Sequence, residues 1–142
     1  MSNILIIDDD KRLRELLESY LIEKNFKVFT CNDFLPAKEI LKYFIFDLII
    51  IDRMMPGGDG IDLIQTIKKK SSTPVILLTA MGESFNKIEG LKKKADDYVA
   101  KPFEPEELYL RIRNLIELFN QNLVINKLIN FGDYLYNLST LQ

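Results

Sequence analysis

Residues 47–60 read DLIIIDRMMPGGDG. A continuous apolar run at 48–51 ends in Asp52, and a proline and three glycines follow within the next eight positions. Unbroken isoleucine and leucine, without alternation, is the pattern of a strand covered on both faces, as in a parallel sheet flanked by helices. Such a strand delivers Asp52 to the turn at its carboxyl end. An ionised carboxylate there is costly unless it is paired, bound to a metal or set at an opening. What else the chain brings to that end therefore decides both fold and function.

Working outward, the same alternation recurs. Residues 4–7, 26–30, 75–78 and 98–99 read as further strands. Residues 11–24 carry Leu13, Leu16, Leu17, Tyr20 and Leu21 as one helical stripe. Asp33 is placed to cap a helix running to about residue 43, with Pro36 in its first turn. Helices are also expected over 61–70 and from Ser84 to about Lys94. Pro105, Glu106 and Glu107 suit the first turn of a last helix, whose stripe is Leu108, Ile112, Leu115, Ile116 and Phe119. Five repeats of strand then helix predict an α/β, doubly wound, five-stranded parallel sheet with right-handed crossovers. In such sheets ligands sit beyond the carboxyl ends of the strands.

Composition narrows the chemistry. At 142 residues, 47% hydrophobic and 28% charged, the chain can bury one domain core. A net charge of -2 gives no global attraction to nucleic acid or acidic membranes. The single cysteine, Cys31, precludes an internal disulfide and fits a reducing, cytoplasmic setting. No apolar run is long enough to span a bilayer, and an acidic triplet close to the N-terminus argues against a signal peptide. Histidine is absent, which excludes histidine-based triads, histidine-ligated zinc and a phosphohistidine on this chain.

At the strand ends the sequence gathers Asp8-Asp9-Asp10, Asp52, Thr79 and Lys101. Two charges about 4 Å apart repel by about 4 kcal/mol at an effective dielectric of about 20. Three such pairs reach about 12 kcal/mol, comparable with a whole domain's stability of about 5–15 kcal/mol. The cluster thus needs a cation, a retained proton or some separation. A hard divalent ion with oxygen ligands, Mg²⁺, suits it.

Four stretches carry a family resemblance: ILIIDDD at 4–10, DLIIIDRMMPGGDG at 47–60, VILLTA at 75–80 and DDYVAKPF at 96–103. In this order and spacing they resemble the receiver domain of two-component response regulators, over residues 3–119. The resemblance implies a flavodoxin-like fold with strand order 2-1-3-4-5. It implies that Asp52 accepts a phosphoryl group from a sensor histidine kinase or a small acyl phosphate, with the chain catalysing only its own transfer and hydrolysis. It casts Asp8, Asp9, Asp52 and the Met54 carbonyl as Mg²⁺ ligands. Lys101 would contact the phosphoryl oxygens, Thr79 would turn toward them, and Tyr98 would be the switch aromatic. Lys101-Pro102 is expected as a cis peptide. Met54 stands where an aspartate-nucleophile phosphatase needs its second aspartate, which argues against that enzyme class.

The segment NKIEGLKKKADDYVAKPFEPEELYLRIR at 86–113 resembles OmpR-type winged-helix transcription regulators. There, phosphorylated receivers dimerise through the face formed by the fourth helix, fifth strand and fifth helix. Lys87 with Glu107, and Asp97 with Arg111, occupy the positions of the inter-subunit ion pairs. Glu117-Leu118 replaces an expected basic pair, which weakens that match. The stretch INFGDYLYN at 129–137 resembles the opening strands of the same subfamily's DNA-binding domain. The resulting division is a receiver at 1–119, a linker at 120–126, and at 127–142 a hairpin-like start of a truncated effector domain. No basic recognition helix follows, so DNA binding would require the missing part of that domain. The alternative is a stand-alone receiver that acts by docking on proteins.

Plainer roles fit other residues. Asp10 and Asp59 suit helix caps, and Lys68–Lys70 read as a solvated helix end favoured by the macrodipole. Cys31 has no activating neighbour in sequence.

Overall fold

Residues 1–80 and 95–140 are described in a computed structural model of the chain. The helix expected over 84–94, and with it Lys87, lies outside the described residues. The elements are β1 (Asn3–Ile7), α1 (Lys11–Glu23), β2 (Lys27–Cys31), α2 (Phe34–Tyr43), β3 (Leu48–Asp52), β4 (Met54–Met55), β5 (Gly58–Asp59), α3 (Gly60–Lys70), β6 (Val75–Ala80), β7 (Asp97–Lys101) and α4 (Pro105–Thr140).

Five strands form one sheet in the order β2-β1-β3-β6-β7, with every neighbouring pair parallel. Counting only these strands, the order is 2-1-3-4-5, as expected. Alternation along each strand sends successive side chains to opposite faces. Leu5, Ile7, Ile49, Ile51 and Leu77 meet Leu41 of α2 and Leu63, Ile64 and Ile67 of α3 in one core cluster. Ile4, Ile6, Leu48, Ile50, Ile76 and Leu78 meet Leu17 and Leu21 of α1 and Leu108 and Ile112 of α4 in the other. Most of these residues are fully buried. Each contributes about 1.5–3 kcal/mol by burial. The unbroken apolar strand sequence follows from having a core on both sides.

The caps are as the sequence suggests. Asp10 accepts the Leu13 N–H at 3.2 Å, and Asp59 accepts the Ile61 N–H at 3.0 Å. The turn after β3 is better ordered than a loop reading implies, because β4 and β5 pair as a two-residue antiparallel hairpin. Gly57 supplies its left-handed backbone, with φ +89°.

Two expectations need correction. The lysines ending α3 are not simply solvated. Lys68 donates to the Thr73 carbonyl at 2.9 Å and to Asp96 at 2.6 Å, tying α3 to the start of β7. Lys70 donates to the Leu41 and Lys42 carbonyls that end α2. The second correction concerns the tail. Neither a linker at 120–126 nor a hairpin after it is present, because α4 runs unbroken to Thr140. Nucleating a helix is costly, but extending one adds a hydrogen bond for each residue fixed. After Pro105 there is no proline to stop the extension. The asparagines and Gly132 weaken the helix by at most about 1 kcal/mol each without breaking it.

Candidate functional site

The carboxyl ends of β1, β3, β6 and β7 follow one another along a single edge of the sheet, and the strand register fixes what meets there. Ile7 pairs with Ile51, so Asp8 and Asp52 follow on neighbouring strands. Thr79 pairs with Ala100 and Ala80 with Lys101 on the far side of β3. One carboxylate oxygen from each of Asp8, Asp9 and Asp52 lies within 4.8 Å of the others. Asp8 is fully buried, Asp52 is 8% exposed and Asp9 faces solvent.

Asp8 is held from several sides. Its Oδ1 accepts the Asp10 N–H at 2.9 Å, its own N–H donates to the Cys31 carbonyl at 3.1 Å, and its carbonyl accepts Arg14 Nη1 at 2.8 Å. The Lys101 ammonium lies 2.9 Å from Asp8 Oδ2 and 3.4 Å from Asp52 Oδ2. The peptide between Lys101 and Pro102 is cis, as expected. Met54 donates its N–H to Asp52 Oδ1 at 3.4 Å, while its side chain is exposed.

One lysine does not neutralise this cluster. Burial, reinforced by the charge of Asp8, pushes Asp52 from 3.8 up to about 6, although Lys101 and the Met54 N–H pull the other way. Burial opposes the charge on Lys101, but its hydrogen bond to Asp8 and the charges of Asp8 and Asp52 prevail and raise its pKa. An all-oxygen set of three carboxylates matches the ligand chemistry of a hard divalent cation.

Thr79 is buried at the end of β6, one position beyond the Asp52–Leu78 pair. Tyr98 on β7 is half-buried against the core cluster that contains Leu77, Ile51 and Leu63. At the other end of β7, Arg111 of α4 binds both carboxylate oxygens of Asp97 at 3.0 Å and Glu107 at 3.4 Å, within a single chain.

The sequence reading missed two positioning residues. Gly60, the first residue of α3, packs so close to β3 that a Cβ would fall 2.5 Å from the Asp52 carbonyl oxygen. Its N–H donates to the Arg53 carbonyl at 2.8 Å, which anchors α3 beside the site. A glycine directly after a capping aspartate was the available signal. Arg14 had none, since a charged residue in the first turns of α1 reads as surface.

Residues 4–113 match the response regulator receiver domain family. The chain is 42% identical over 137 residues to Protein PetR of Rhodobacter capsulatus, covering 96% of this chain and 58% of that protein. It is 39% identical over 127 residues to the transcriptional regulatory protein ResD of Bacillus subtilis, covering 88% of this chain and 52% of that protein. It therefore spans about half the length of these curated relatives. Among solved structures, the receiver domain of Francisella response regulator 1452 aligns with TM-score 0.76 at 36% identity, covering 84% of this chain and 99% of that one. The beryllofluoride-activated NtrC4 receiver domain dimer aligns with TM-score 0.76 at 29% identity, covering 84% and 99%. With strand order, acidic cluster and sequence match in agreement, the chain belongs to the response regulator receiver domain family, a signalling domain.

Proposed function

We propose that Asp52 is the phosphoacceptor of a two-component receiver, taking its phosphoryl group from a sensor histidine kinase or a small acyl phosphate. The observation that carries this reading is the convergence of Asp8, Asp9 and Asp52 within 4.8 Å, with Lys101 bridging the first and last. A carboxylate oxygen of Asp52 attacks the donor phosphorus. The P–N bond of a phosphohistidine, or the P–O bond of an acyl phosphate, breaks and its electron pair leaves with the donor. Phosphoryl transfer of this kind asks a protein for positioning and charge neutralisation.

Asp8, Asp9 and Asp52, with the Met54 carbonyl, are the residues that would hold Mg²⁺. When bound, the ion supplies positive charge to the crowded carboxylates and to the phosphoryl oxygens. Lys101 keeps its proton and presents an ammonium to those oxygens. The Met54 N–H holds the acceptor carboxylate in orientation.

The modified Asp52 gains charge and acceptor oxygens at the sheet edge. Thr79 turns to bond them, and Tyr98 rotates inward into the space released. That repacks the outer face of β7 and α4, which carries Asp97, Glu107 and Arg111. Homodimerisation through this face requires Arg111 to leave its own Asp97 for that of a second copy. The activated receiver dimer of the NtrC4 structure supports such a response. ResD is a transcriptional regulatory protein of which this chain spans about half, and the output we read for the receiver is transcription through an attached DNA-binding domain. The free, buried Cys31 fits work in the cytoplasm.

Transfer from a phosphorylated sensor kinase domain tests the reading. With Mg²⁺ present, label moves to the wild-type chain and not to Asp52→Asn. Equal labelling of both rejects it.

A further inference from the structure

Asp9 differs from the other two carboxylates of the acidic cluster. Asp8 and Asp52 are buried and bonded to Lys101. Asp9 is exposed, and among the described residues its carboxylate makes no hydrogen bond or ion pair. No side-chain partner aims it at its neighbours, so its own main chain must.

That main chain is held on both sides by one residue. Arg14 donates Nη1 to the Asp8 carbonyl at 2.8 Å and its backbone N–H to the Asp10 carbonyl at 3.0 Å. The Asp8 carbonyl lies one residue past the end of β1, in the planar peptide unit that leads into the Cα of Asp9. Holding its oxygen fixes the direction in which residue 9 leaves the strand. The Asp10 carbonyl does the same on the far side, where α1 begins.

We propose that Arg14 is a positioning residue for Mg²⁺ binding: by bonding the main chain on either side of Asp9, it holds that exposed carboxylate where it completes the ligand set with Asp8 and Asp52. This rests on the reading of those three aspartates as the Mg²⁺ ligands. Charge alone predicts the opposite sign. A guanidinium beside a cation site repels the ion, so deleting it would tighten binding if Coulomb forces were all that acted. Positioning makes the deletion weaken binding. Groups that orient a metal ligand without touching the metal typically contribute about 10–100-fold in affinity. Asp8 and Asp52 are held independently of Arg14's second bond, so the lower end, about tenfold, applies here.

The test titrates Mg²⁺ into the full chain without phosphodonor and follows amide chemical shifts, which report the fold of each variant together with its affinity. Arg14→Met keeps an aliphatic stem and good helix propensity but no donor, and is expected to weaken Mg²⁺ binding about tenfold. Arg14→Lys returns a cationic donor on a shorter stem and is expected to recover part of the loss. Arg12→Ala removes an exposed cation from the same turn and is expected to bind no more weakly than the wild type. A loss of stability alone does not move an affinity read on the folded chain. Wild-type or tighter affinity in Arg14→Met overturns the proposal, as does an equal weakening in Arg12→Ala. If Arg14→Met does not fold, Arg14→Lys is read in its place, and wild-type affinity there overturns the proposal. The ligand reading fails separately. No Mg²⁺ binding by the wild type, or undiminished binding by Asp9→Ala, strikes the site itself and the role of Arg14 with it.

Discussion

The Lys101 ammonium lies 2.9 Å from a carboxylate oxygen of Asp8, a side chain with no exposure to solvent. Removing one member of a buried pair leaves the other charge without compensation, typically at a cost of about 3–5 kcal/mol. Lys101 is partly open to water, so the cost here belongs at or below the low end of that range. Lys101→Met is expected to lower stability by roughly 2–3 kcal/mol in metal-free buffer, read from urea unfolding. Millimolar Mg²⁺ is expected to restore part of the loss by binding only the folded chain. An unchanged midpoint contradicts the assigned pairing.

Asp52 is predicted to cost stability at neutral pH. Its pKa in the folded chain, about 6, exceeds its ordinary 3.8. The folded state therefore holds the proton more tightly, and stability falls as pH rises from about 4 to about 6, staying low above that. Asp52→Asn removes this penalty. In the absence of metal it is expected to stabilise the chain by roughly 2–3 kcal/mol at pH 7, with the advantage vanishing below about pH 4. Thermal melts of both proteins across that range read the difference, and an Asn variant less stable than wild type at pH 7 would refute the crowding.

Gly60→Ala places a methyl 2.5 Å from the Asp52 carbonyl oxygen, and that oxygen belongs to backbone that cannot swing away. Such overpacking costs about 1–3 kcal/mol. The shift of α3 away from β3 is also expected to slow phosphoryl labelling more than the stability loss alone explains. Normal labelling kinetics in the variant would show that Gly60 does not position the acceptor.

Arg111→Ala is expected to change stability by only about 1 kcal/mol, because the pair with Asp97 is half-open to water. It is expected nonetheless to abolish dimerisation through the β7–α4 face once Asp52 is modified. Sedimentation of the variant with and without a beryllofluoride mimic reads this, and an unimpaired mimic-induced increase in mass would remove Arg111 from the interface.

Much of this architecture is legible in the sequence itself. The unbroken run at 48–51 declared a strand covered twice, and period-two alternation then dictated both core clusters. The site was legible for the same reason, since residues placed directly after buried strands have only one edge to occupy. What failed was punctuation. The asparagines at 120–126 read as a linker, but they sit inside a helix already nucleated, where continuing is cheaper than stopping. Glycine and aromatic residues at 131–136 read as strand chemistry, yet local propensity of that kind is easily overridden. The bonds of Lys68 and Lys70 were invisible because their acceptors are main-chain carbonyls, and one carboxylate, far away in sequence.

The most direct measurement is peptide mapping of the chain after incubation with a small acyl phosphate, with and without Mg²⁺. A single phosphoryl group on the peptide carrying Asp52, formed only with the metal and absent from Asp9→Ala, is the expected result. Label on another residue, or equal labelling of Asp52 without metal, would contradict the site.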